Sequence, residues 1–223
     1  MTFKQDILGT IKKHGAINNE FLTQFASGKS SKEEVKRFAV EFYHFSRHFP
    51  LVLCSLLVNT ADEAEAAELT KILTSELGDG IPEKRHELLY RDFLRSVRIE
   101  PMKIIKRPML KTTKAWIDTQ IQLYSGDEHF AGLGASFGLE NMAIPMWDQL
   151  IAGLKIYKQR WFPDMDMTYF TFHRELEEKH EDAMDTVVNS LKPEAEESFR
   201  RGVMEVLDAE TAFWVGILDK YQI

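Results

Sequence analysis

Apolar residues recur with helical spacing along almost the whole chain, and no run of strict alternation marks a strand. Residues 3–13 form a mildly amphipathic first helix. Ser31 and Glu34 stand at capping-box spacing and open a helix through Phe38, Phe42, Phe45 and Phe49, which Pro50 ends or kinks. The next helix runs from about 54 to 77 and is closed by Gly78-Asp79-Gly80-Ile81-Pro82. Further helices are predicted over 83–97, over 109–124 after Pro101 and Pro108, and over 128–157 with a kink near Pro145. One starting around Pro163 reaches 191, and the last begins at Pro193 and ends near Tyr221. No linker or repeat interrupts the series. The prediction is a single all-α domain over 1–223 with about eight helices.

Composition narrows the function classes. The 223 residues carry a net charge of −7 and no basic tail, which argues against nucleic-acid binding. The five cations Lys103, Lys106, Arg107, Lys111 and Lys114 read as a solvated face. A single cysteine, Cys54, excludes an internal disulfide framework and a Cys-rich zinc site. It lies in the apolar run 50–58, reads as a small core residue, and fits a reducing, cytoplasmic location. Residues 1–20 contain Lys4, Asp6, Lys12 and Lys13 and lack the apolar stretch of a signal peptide. Residues 130–147 approach membrane-span length, but Glu140 and several glycines interrupt them, so a buried core helix is expected and no membrane partner.

Glu140 is the only charged residue in that run. A carboxylate there should lie in the core, where it must shift its pKa or find a cation. Pairing with an arginine, or protonation, would satisfy it as well as a metal would. In His173-Arg-Glu-Leu-Glu177-Glu-Lys-His180, the residues 173, 177 and 180 fall within an arc of about 60° on a helix. Met184, Val187 and Leu191 continue that stripe, so two imidazoles and a carboxylate face the core. That donor set suits iron or manganese. Glu83 and His86 form a Glu-x-x-His pattern, as do Glu177 and His180. Carboxylate-bridged dimetal bundles combine two such patterns with single Glu residues from two other helices. Glu140 offers one single Glu, and Glu76 or Glu41 another. His44 and His48 share a face beside Phe45 and Phe49 and read as core-edge residues; His14 and His129 read as exposed. His-Glu-x-x-His is absent, which disfavours a zinc metalloprotease.

The ordered set Glu76, His86, Glu140, His173, Glu177 and His180 resembles that of the haem-oxygenase-like diiron oxidases and oxygenases. Their fold is shared with TenA-type thiaminases and pyrroloquinoline-quinone synthase. The resemblance spans about 21–191 and includes Glu76-Leu-Gly-Asp-Gly80 leading to His86, Gly138-Leu-Glu140 with Pro145, and Tyr169-Phe170 ahead of His173. It implies a haem-oxygenase-like bundle of about seven to eight helices and a homodimer. It further implies two non-haem Fe ions, or Mn, with Glu76, His86 and His173 on one ion, Glu177 and His180 on the other, and Glu140 shared. Glu83 is the alternative to Glu76.

The same resemblance implies activation of O2 to oxidise a small-molecule substrate, amino-acid-like or fatty-acid-like. Glu177 stands where several members have Asp. The Tyr and Lys consumed by the self-sacrificing para-aminobenzoate synthases align with Leu22 and Leu150, which argues against that activity here. Gly132, Gly134, Ala135 and Gly138 serve either close helix packing or room for substrate, and Phe42, Phe45, Phe137 and Met142 are candidate pocket walls. Three other readings compete: a metal-free TenA-like or quinone-synthase-like enzyme using Glu and His as acid and base, a haem binder with His14 or His44 as axial ligand, and a non-catalytic helical binding module.

Overall fold

The computed structural model describes residues 2–219 and is all-helical, with the haem-oxygenase-like fold. Thr2 caps α1 (Phe3–Ile11) in a capping box with Gln5. Asn19 caps α2 (Glu20–Ala26), a segment too short to show a period in the sequence. Ser31 and Glu34 form the predicted box at the start of α3 (Lys32–Ser46). Pro50 falls in the first turn of α4 (Phe49–Val58), where its missing N–H costs nothing. The helix predicted over 54–77 is divided. The Asp62 carboxylate accepts from the Ala64 and Glu65 amides and starts α5 (Glu63–Glu76) as a separate element.

A 3-10 turn (Pro82–Lys84) leads to α6 (His86–Ser96), followed by the single-turn α7 (Pro101–Ile104) and α8 (Lys111–Ser125). Three long helices complete the fold: α9 (His129–Trp161), α10 (Thr168–Ser190) and α11 (Glu196–Leu218). There are more segments than the eight expected, because α2 and α7 are short and 54–77 is split. The predicted end near Tyr221 lies outside the described residues.

Helix α9 is the axis of the molecule. It packs against α11, α10, α2 and α8, and it is buried on almost every side from Ala131 to Ala143. Pro145 supplies no N–H to the Asn141 carbonyl, yet the helix continues through it for 33 residues. Gly134 and Gly138 face α11, and Gly132 faces the Leu123 carbonyl of α8. These small residues therefore serve helix packing and not substrate room. One hydrophobic cluster joins α1 to α11, with the Phe21 and Trp214 rings stacked at 5.2 Å near its centre. Helix α10 rests on α9, α5 and α6. This arrangement aims the end of α5, the start of α6 and the middles of α9 and α10 at one interior region. Among the described residues no helix is long and apolar enough to cross a membrane.

Candidate metal centre

The chain reverses between α5 and α6 through three residues with positive φ: Gly78 (88°), Asp79 (51°) and Gly80 (78°). A side chain at Gly78 would also put its Cβ 2.5 Å from the Ile81 carbonyl oxygen. Only glycine fits there. The reversal brings Glu76, at the end of α5, against His86, the first residue of α6. The His86 Nδ1 lies 2.8 Å from the Glu76 Oε2, and neither His86 ring nitrogen is in hydrogen-bond alignment with any described residue. The His173 Nε2, from α10, lies 3.6 Å from the Glu76 Oε1, and the His86 and His173 rings are 4.0 Å apart. These three residues form the first triad, with one donor atom from each within 4.8 Å of the others.

Glu140, Glu177 and His180 form the second triad, by the same measure. The His180 Nδ1 is 3.1 Å from the Glu140 Oε2 and 3.6 Å from the Glu177 Oε2. The Trp147 indole donates to the Glu177 Oε1 at 2.7 Å. All six triad residues are buried. Glu140 groups with Glu177 and His180 and not with the first triad.

The electrostatics are those of a site that wants cations. Burial alone would raise Glu76, but the imidazoles of His86 and His173 override it and hold the carboxyl well below the usual range. Burial, with His86 beside it, lowers His173. Burial would also lower His180, yet the carboxylates of Glu140 and Glu177 drive it up to about 11. Glu177 itself is raised by burial and by repulsion from Glu140. In the second triad His180 holds the proton that its buried acidic neighbours favour.

The donor set fits a pair of metal ions. Ligands about 2.1 Å from one ion sit about 3 Å apart when at right angles, and the close pairs in both triads approach that spacing. The His173 Nδ1 faces the Tyr169 carbonyl oxygen at 2.8 Å, and a carbonyl can only accept. Nδ1 therefore carries a proton, and Nε2 is the nitrogen left facing Glu76, the side on which a metal would bind. Glu140 Oε1, Glu177 Oε2 and His180 Nε2 are buried with no hydrogen-bond partner among the described residues.

The family profile described as "Iron-containing redox enzyme" matches residues 36–211. The chain belongs to that family. It is 24% identical over 222 residues to a 4-aminobenzoate synthase of Chlamydia trachomatis, covering 99% of this chain and 92% of that one. Among solved structures, a CADD-like protein of unknown function from Nostoc punctiforme superposes with a TM-score of 0.82 at 17% identity, over 96% of this chain and 95% of the other. A heme-oxygenase-like domain from Shewanella denitrificans gives 0.76 at 17% identity, over 98% and 91%. An iron-containing redox enzyme of this fold therefore carries these two triads in its interior.

Other residues singled out from the sequence fall elsewhere. Glu83 is exposed, in the 3-10 turn, so Glu76 and not Glu83 joins His86. Glu41 is buried but accepts from the Leu110 amide and the Thr113 hydroxyl, tying α3 to the start of α8. His44 is buried outside both triads, and burial lowers its pKa to about 4. The His48 Nδ1 turns back to the His44 carbonyl at 2.5 Å. His14 and His129 are half-buried rather than exposed, beside Asp208 and Glu65 respectively. Cys54 is half-buried rather than core. The cations at 103, 106, 107, 111 and 114 are all exposed. Leu22 and Leu150 are fully buried and apolar.

Beside the triads lies a pocket walled by Phe42, Phe45, Met142 and Met146 and bordered by Glu76, Glu140, His173 and Glu177. Phe137, a predicted wall, packs on Phe199 instead. Sequence reasoning had no role for Trp147, Ser46 or Glu210. Trp147 and Ser46 have partners on other helices, at Glu177 and Tyr169, which no local spacing reveals. Glu210 did leave a signal. It is the one acid on the apolar stripe Phe199, Val203, Val206, Phe213 of α11, the kind of contrast that singled out Glu140.

Proposed function

We propose that the protein is a non-haem diiron oxidase or oxygenase that uses O2 to oxidise a small organic substrate. The observation that carries this reading is the convergence of three imidazoles and three carboxylates, from four helices, as two buried triads. Glu76, His86 and His173 would hold one ion, and Glu177 and His180 the other, with Glu140 beside the second and its free Oε1 available to bridge. When bound, two ferrous ions supply the electrons that reduce O2.

The residues of the chain prepare that chemistry. Tyr169 fixes the His173 tautomer through its carbonyl. Its phenol donates to the Ser46 hydroxyl at 3.0 Å and stays protonated, since burial and the nearby Glu76 raise its pKa well above the ordinary value. The aromatic and thioether walls exclude water from the substrate pocket. Leucines at 22 and 150 leave those two positions without a side chain to consume, which supports a substrate taken from solution. The single free thiol and the ferrous site both fit a reducing cytosol.

Anaerobic loading with Fe(II), followed by desalting and metal analysis, tests the proposal. About two irons per chain should remain, and exposure to air should consume O2 in proportion to that iron. Retention of no iron, or iron that leaves O2 untouched, refutes it. Replacing Trp147 with Phe releases one oxygen of Glu177 from its hydrogen bond. The expected loss of iron affinity is about 10–100-fold, the usual effect of removing a partner that orients a ligand. Competition with a ferrous chelator measures it.

A further inference from the structure

The pocket beside the triads has a second polar end. Glu210, on α11, lines it and is 0% exposed. Neither carboxyl oxygen has a hydrogen-bond partner among the described residues. The Trp214 indole, one turn along, acts against the effect of burial but does not meet hydrogen-bond geometry. No Lys or Arg lines the pocket. Burial raises the Glu210 carboxyl well above its usual range, so in the free protein it is a neutral acid with empty acceptor sites. Isolated buried acids are costly, and one that borders a cavity has space for the partner it lacks.

We propose that Glu210 recognises a basic nitrogen on the substrate: the pocket takes a small apolar amine, its nitrogen on Glu210 and its carbon skeleton along Phe42, Phe45 and Met142 toward the triads. The proton on the carboxyl passes to the incoming neutral amine, and the ammonium–carboxylate pair leaves the charge of the pocket unchanged. Aromatic faces around the pocket, including Trp116, favour a cation further. An alcohol of the same size can donate one hydrogen bond but cannot pair with a carboxylate. A carboxylate group at this end would bring a net negative charge into a pocket that no Lys or Arg lines. The inference rests on the diiron reading only for what happens at the other end of the pocket.

The cavity, about 50 Å³, calls for small probes. Binding of methylamine and methanol to the anaerobic Fe(II)-loaded protein, followed by NMR titration, measures the preference, and metal analysis of the same samples gives their iron content. The wild type should prefer the amine at least tenfold. Glu210→Gln, which keeps size and polarity, should abolish the preference and leave helicity and iron content unchanged. No preference in the wild type, including no binding of either probe, overturns the proposal. So does a preference that survives Glu210→Gln, which is the result expected from nitrogen ligation to iron. A Glu210-dependent preference in protein that retains no iron would uphold this inference and sink the diiron reading; iron retention with no preference would do the reverse.

Discussion

Replacing Glu140 with alanine abolishes iron loading while the helical fold survives. Glu140 is 4% exposed at the middle of α9, and its Oε2 meets the His180 Nδ1 at 3.1 Å. Its other oxygen has no partner among the described residues. Without it, the second triad keeps one carboxylate and one imidazole, too few donors to outbid water for Fe(II). If Glu140 bridges, the first triad loses a ligand as well, and iron in both positions falls together. Loss of half the iron would instead mean that Glu140 serves the second ion alone. Both results uphold a metal role; unchanged iron content refutes it. The fold should persist, because Glu177 still faces the His180 Nδ1 at 3.6 Å, so the imidazole keeps a buried acidic partner. The cavity left by the side chain adds a cost of about 1–3 kcal/mol. Far-ultraviolet circular dichroism of the apoprotein separates lost ligation from lost structure.

The parts of this site that could be read from the sequence are those fixed by one helix. His173, Glu177 and His180 are spaced by the period of α10, and their common face follows from it whatever the rest of the chain does. Glu140 stood out by contrast with its apolar neighbours, because a lone acid in a buried helix demands a partner. Glu76 against Glu83 was open for a different reason. The pattern Glu-x-x-His implies one continuous helix, but Glu83 lies in a 3-10 turn that ends before α6 begins, and it faces solvent. The left-handed reversal at Gly78 through Gly80 decides in favour of Glu76, and φ angles are not written in hydrophobic spacing. The split at Asp62 has a similar origin. The apolar period runs on through residues 54–77, while a single side chain capping two amides outweighs the hydrogen bonds a continuous helix would make there. Trp147 and Glu210 matter through contacts with other helices or with the pocket, which appear only once the helices are packed.

Gly202→Ala should destabilise the protein by about 2 kcal/mol, against the usual sign for a helix interior. Alanine ordinarily gains about 1 kcal/mol over glycine in such a position. Here a Cβ would lie 1.9 Å from the Ala131 carbonyl oxygen on α9, and the reciprocal Gly134 would put one 2.0 Å from the Phe199 carbonyl oxygen on α11. Both obstacles are backbone, so no rotamer change relieves them; the two helices must part. Overpacking of this kind costs about 1–3 kcal/mol or more, and the upper end applies where the opposing atom cannot move alone. A melting temperature lower by about 4–8 °C is expected for a chain of this size. Gly9→Ala, in α1 with nothing within 4 Å of the added methyl, supplies the control and should be neutral or stabilising. The effect also reaches the site. Glu140 rides on α9, so parting α9 from α11 shifts it relative to Glu177 and His180 on α10. Iron affinity should therefore fall with stability in Gly202→Ala and remain intact in Gly9→Ala. Equal melting temperatures for the two variants would mean that α9 and α11 do not meet backbone to backbone at these glycines.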